Sequence, residues 1–127
     1  MQALEGTEMA KSLFEKYGGF AEVRKIVSDF YDEVLDDELL AHHFRGVNMR
    51  RLIDHQTKMI SSVLGGPAHI ADEQLARAHR RLQIKAVEFD RLLEIMSDTL
   101  DDHDFDADDR QAVLNRIGNT RPFIVGD

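Results

Sequence analysis

The chain has 127 residues, enough for one domain with a single core. Cysteine is absent, which excludes disulfides, thiolate catalysis and cysteine-held metals, and a reducing cytoplasm is the expected home. A net charge of −8 argues against nucleic acid or an anionic membrane as partner; there is no apolar run of membrane-spanning length, and the N-terminus does not read as a secretory signal.

In chain order the sequence reads as helices throughout, giving an all-α single domain over 1–127 with flexible ends at 1–7 and 121–127. A short helix is expected from Glu8 to Lys16, stopped by Gly18-Gly19. The next covers about Phe20 to Leu35, where Phe20, Val23, Val27, Phe30 and Val34 recur at three- and four-residue steps and predict one buried stripe bordered by Tyr31. A brief turn from Asp37 to His42 leads to Phe44. Asn48 is a good cap for a helix to Leu64, with Leu52, Gln56, Met59, Ile60 and Val63 inward and Gly65-Gly66-Pro67 as the stop. A shorter helix is expected over 72–83, with Leu75, Ala78, His79 and Leu82 on one face. A long one follows over 86–100, carrying Phe89, Leu92, Leu93, Met96 and Leu100. Asp106 is placed to cap a last helix bearing Ala112, Val113, Leu114 and Ile117, and the tail from Arg121 is expected to fray.

Six histidines without cysteine raise the question of a metal. His55 and His79 each sit beside an apolar helix face. On spacing alone, each reads more readily as a surface or hydrogen-bonded core residue than as a ligand, and no zinc-hydrolase pair is present. Tyr31 and Gln56 are more informative. A buried phenol and a buried amide each need a partner, or cost roughly 1–3 kcal/mol. They can bond each other, or they can face a cavity and bond a ligand. The acidic run from Asp101 to Asp109 fails as a calcium loop, because Ala107 stands where glycine is needed and Val113 where glutamate is needed. Neither a phosphate loop nor a nucleophilic triad is supported.

Taken in order, Leu13-Phe14-Glu15-Lys16-Tyr17-Gly18-Gly19, Phe30-Tyr31, Phe44, the stretch from Met49 to Gly66, Ala78-His79-Arg80-Arg81-Leu82 and Phe89-Asp90 resemble the truncated haemoglobins, most of all group I. The resemblance spans about Ser12 to Gly118. It implies a two-over-two helical sandwich around haem b, with His79 as the proximal iron ligand. Phe44 would pack on the porphyrin, and Leu75, Leu82, Val87, Phe89 and Met96 would wall the pocket. Tyr31 and Gln56 would donate hydrogen bonds to bound dioxygen, and Leu52 takes the distal-gate position. In some cyanobacterial relatives a histidine at the place of His55 binds iron from the distal side. Ligation is the preferred reading for His55 here, and a place at the haem edge near a propionate is its rival. Arg50, Arg51, Arg77 and Arg80 are candidate propionate contacts. His43 departs from the aromatic residue common at its place, and Asp72 from the usual glycine. No histidine stands near Pro122, so non-covalent haem is expected.

The function implied is binding of dioxygen, nitric oxide and carbon monoxide at haem iron. Oxygen transport or nitric oxide detoxification are its expected uses. A separate reductase is implied for the latter, because the chain carries no flavin or nicotinamide motif. Two alternatives stay open: a six-coordinate haem sensor or electron carrier using His55, and a haem-free helical interaction module.

Overall fold

The computed structural model describes residues 12–67 and 83–126. Among these residues the chain forms helices α1 (Leu13–Lys16), α2 (Gly19–Asp36), α3 (Met49–Val63), α4 (Ala86–Asp102), α5 (Ala107–Gly118) and α6 (Arg121–Ile124), with a 3-10 turn at Ala41–Phe44. Extended pairing among them is limited to one bridge, Ile84 to Val125. No described helix is long and apolar enough to cross a membrane. The helix expected over 72–83 falls, but for Gln83, outside the described residues, and so does the expected start of the first helix at Glu8.

Local chemistry sets each boundary. The Ser12 hydroxyl caps α1 by accepting the Glu15 backbone N–H at 3.1 Å. Gly18, at φ 103°, makes the corner into α2 in a backbone region that side chains disfavour. The Asn48 side chain accepts the Arg51 N–H at 3.2 Å and starts α3, as its residue type predicts. At the far end of α4, Asp104 takes φ 64°, and the N–H groups of Asp104 and Phe105 close on the carbonyls of Asp101 and Leu100. This Schellman closure ends the helix and drops Phe105 into the core.

The long helices pack in two layers. Helix α2 lies on α3, α4 lies on α5, and the layers meet where α2 crosses α4 and α3 touches α5. From α2, Val23, Ile26, Val27, Phe30, Tyr31 and Val34 are buried, which is the predicted stripe widened by Ile26 and Tyr31. Phe20 does not join it. The ring is 46% exposed in the first turn, edge-on to Phe14. Helix α1 is tied to the start of α5 by Tyr17, whose ring stacks on Phe105 at 3.7 Å. The Tyr17 hydroxyl donates to Asp109 Oδ2 at 2.6 Å and accepts the Asp106 N–H at 3.1 Å. Asp106 stands at the N-cap of α5, yet its side chain makes no cap bond and instead accepts from Lys16.

The tail departs from expectation. Arg121–Ile124 is helical with Pro122 in its first turn, where its missing N–H costs nothing. Ile124 is buried against Ile84 and Phe89, and the Arg121 guanidinium lies 5.2 Å from the centre of the Phe89 ring. Apolar burial and this cation–ring contact hold residues whose place at the chain end suggests that they would fray.

Candidate functional site

Between the two layers lies a cavity of about 100 Å³. Its α2–α3 side is formed by Val27, Phe30, Tyr31, Leu52, Gln56, Met59 and Ile60. The other side is formed by Ile84, Phe89, Leu92, Leu93, Met96, Ile117 and Ile124, with Phe44 completing the wall from the 3-10 turn. The helical period explains this. Leu52, Gln56, Met59 and Ile60 recur at three- and four-residue steps along α3, and so do Phe89, Leu92, Leu93 and Met96 along α4, so each set shares one face.

Among the described residues, the polar side-chain groups in this wall are the Tyr31 phenol and the Gln56 amide alone. Gln56 Nε2 donates to the Tyr31 hydroxyl at 3.0 Å. That bond occupies an acceptor site on the phenol and leaves its proton to give; no described residue accepts it. Burial pushes the Tyr31 pKa up to about 12, and the Gln56 bond offsets only part of that. The phenol is therefore a neutral donor throughout the physiological range, held in an apolar cavity where a hydrogen bond to a ligand is strengthened. The T-shaped contacts of Tyr31 with Phe30 and Phe44, at 5.0 and 5.7 Å between ring centres, hold the ring in place.

The structure brings Tyr31, Phe44, Leu52, Gln56, Phe89 and Met96 around this one cavity. Val87, expected in the pocket wall, is instead 59% exposed. It lies two residues before Phe89, about 200° around the helix, so the turn that points Phe89 inward points Val87 away. His55 is exposed and outside the wall, one position from Gln56 on α3. Arg50 and Arg51 are exposed. His79, Leu75, Leu82, Arg77 and Arg80 lie outside the described residues. Ile84, Ile117 and Ile124 are wall residues that sequence reasoning missed. The hydrophobic periodicity of α5 could have pointed to Ile117.

The lining of the cavity has the chemistry that the porphyrin implied by the resemblance needs, but about 100 Å³ is well below the roughly 300–1,000 Å³ of a cofactor pocket, so the ring would have to part the described walls. The cavity is an apolar slot between two helix layers, edged by aromatic rings, with its hydrogen-bond donors gathered on one side. No described wall residue offers an imidazole. The iron-binding nitrogen has to come from elsewhere, and His79 precedes the wall residue Ile84 by five positions.

A second polar cluster adjoins the cavity. Glu88, buried in the first turn of α4, accepts from the Lys85 backbone N–H at 2.8 Å, from His43 Nε2 at 2.9 Å and from His42 Nε2 at 3.1 Å. Burial alone pushes its pKa up, but the Lys85 N–H and the two histidines together hold it at about 2. Sequence reasoning missed this cluster.

A family model for bacterial-like globins matches residues 12–125. A group 1 truncated haemoglobin of Tetrahymena thermophila is 34% identical over 70% of this chain and 74% of its own length. The crystal structure of the Tetrahymena pyriformis truncated haemoglobin, in its Fe(III) form, superposes with a TM-score of 0.84 at 27% identity, covering 92% of this chain and 100% of that one. A two-over-two haemoglobin from Synechococcus, in a cyanomet state with covalently attached haem, superposes with a TM-score of 0.84 at 28% identity, covering 91% of this chain and 98% of that one.

Proposed function

Because this chain belongs to the bacterial-like globins, as a group 1 truncated haemoglobin with the two-over-two helical fold, we propose that it holds haem b non-covalently through His79 and binds diatomic gases beside Tyr31 and Gln56. Haem iron supplies the position at which such a gas binds reversibly. Phe44, Phe89 and Met96 would pack on the ring, and the apolar wall would keep water from it. The observation that carries the reading is the Tyr31–Gln56 pair, the sole polar group that the described residues place in an otherwise apolar wall. A neutral phenol with a proton to give stabilises partial negative charge on a bound gas, which favours dioxygen over carbon monoxide. Leu52, on the same face, adds no competing polar group.

Non-covalent attachment rests on the sequence of α6, Arg121-Pro122-Phe123-Ile124, where no histidine stands near Pro122. The use we assign is oxidation of nitric oxide to nitrate by dioxygen. That reaction consumes one electron per nitrate formed. The chain has no flavin or nicotinamide motif, so a separate reductase supplies the electron. For His55, its exposed position outside the wall supports a place at the haem edge over ligation of the iron.

Haemin titration tests the reading. We expect a Soret band at one haem per chain, and acidified organic solvent should extract the haem. No Soret band would overturn the globin function, and haem that resists extraction would overturn the non-covalent assignment. The nitric oxide assignment is tested by mixing dioxygen-equilibrated, reduced protein with nitric oxide. Stoichiometric nitrate supports it, and nitric oxide left unconsumed excludes it.

A further inference from the structure

Three side chains from two separate elements converge beside the cavity, and we propose that His42, His43 and Glu88 form a binding site for a divalent transition-metal ion of the zinc class. The histidines come from the 3-10 turn and the glutamate from the first turn of α4. His43 Nε2 stands 2.9 Å from Glu88 Oε1 and His42 Nε2 3.1 Å from Oε2. The ligand atoms of all three residues lie within 4.8 Å of one another. Ligands of a tetrahedral zinc ion, each about 2.0–2.2 Å from the metal, stand roughly 3.3–3.5 Å apart. An ion therefore enters once the widest separation, up to 4.8 Å, closes by about 1.4 Å through side-chain rotation.

The donor set suits the ion. Two imidazole nitrogens and one carboxylate are three protein ligands of intermediate softness, and a fourth position stays open to water. Both Nε2 atoms bind as neutral nitrogens, so each ring carries its proton on Nδ1, and any imidazolium releases one proton on binding. Glu88 is already aimed. The Lys85 N–H on Oε1, at 2.8 Å, fixes the carboxylate and leaves Oε2 for the ion. Access is open from one side: the His42 side chain is 47% exposed, while those of His43 and Glu88 are 9% and 4% exposed. The chain's net charge of −8 draws cations to its surface. Phe44 follows His43 and Phe89 follows Glu88, and both line the cavity. A bound ion would tie those two wall residues together. The site does not depend on the haem reading.

Calorimetric titration of the protein with Zn²⁺, with and without haemin, tests this. We expect one ion per chain bound by the wild type. His42→Gln should weaken it about tenfold or more, while His55→Gln leaves it unchanged. His42→Gln separates the proposal from a plain hydrogen-bond latch, because the amide still donates to Glu88 but is a poor zinc ligand. A measurement on the wild type alone guards against misfolding of the variant. In the wild type, the ring resonances of His42 and His43 should move first as Zn²⁺ is added. Absence of binding, or binding that His42→Gln leaves unchanged, or first movement at other histidines, would overturn the site.

Discussion

Gln56 Nε2 donates to the Tyr31 hydroxyl across 3.0 Å, joining α3 to α2 at the cavity wall. The amide acts on the phenol by direction: with one acceptor site taken, the phenol gives its proton to whatever the cavity holds. Tyr31→Phe removes that donor and little volume. Dioxygen release from the haem-loaded protein should then quicken about ten- to a hundredfold, matching a loss of about 1–3 kcal/mol. Carbon monoxide release, with less charge on the ligand, should change much less. Stopped-flow ligand replacement reads both rates. Equal changes for the two gases would mean that Tyr31 acts by shape alone.

The two histidines proposed near the haem separate by variant. His79→Ala should lose haem on transfer to apomyoglobin far faster than wild type, because no described wall residue replaces the imidazole. His55→Ala should leave the dithionite-reduced absorption spectrum unchanged, given its exposed place outside the wall. If His55→Ala instead turns sharp, resolved visible bands into broad ones, His55 is a ligand after all, and the chain is six-coordinate at rest.

Gly66 is fixed by its neighbours. A Cβ built there would lie 2.8 Å from two carbons of the Phe14 ring and 2.9 Å from the Ser61 carbonyl oxygen. The ring can yield, but the carbonyl belongs to the last turn of α3 and accepts the Gly66 N–H at 2.7 Å. Gly66→Ala should therefore destabilise the protein by about 1–3 kcal/mol, read as a lower midpoint in urea. Gly118, where an added Cβ meets nothing, is the control, and Gly118→Ala should not destabilise.

Much of the cavity was legible in the sequence, because its wall is made of regular helices. Leu52, Gln56 and Met59 fall on one face of α3 by period alone, as do Phe89, Leu92 and Met96 on α4. What period cannot supply is the partner. Tyr31 and Gln56 were each recognisable as polar groups on apolar faces, but only the crossing of α2 and α3 decides that they bond each other. The cluster at Glu88 was out of reach for the same reason. His42 and His43 adjoin in a turn of no period, and Glu88 follows 45 residues after His43 with a lysine, rather than Ser, Thr or Asp, at the helix cap three positions before it. The tail differs because its fraying was expected from its place at the chain end alone. The better signal was Pro122 as a helix opener followed by apolar Phe123 and Ile124.

His103, at the C-cap of α4, is held from both sides. Nδ1 meets Glu22 Oε2 and Nε2 meets Asp29 Oδ2, each at 2.8 Å, and both carboxylates belong to α2. Burial pulls its pKa down, but the two carboxylate bonds outweigh that, so the folded pKa is raised above the usual histidine value of 6.5. Both bonds need donors, and only the imidazolium has two. For a group whose folded pKa is raised, the added stability is fully present below the unfolded pKa and is lost as pH rises through the folded one. The clamp therefore stabilises the layer contact below about pH 6.5 and fades above it. Charge-assisted bonds with partly exposed partners contribute on the order of 1–2 kcal/mol. His103→Gln should thus lose that much stability at pH 6 and clearly less at pH 9, read by urea unfolding at both pH values. A gap that does not narrow with rising pH would mean that the ring acts through packing and not through charge.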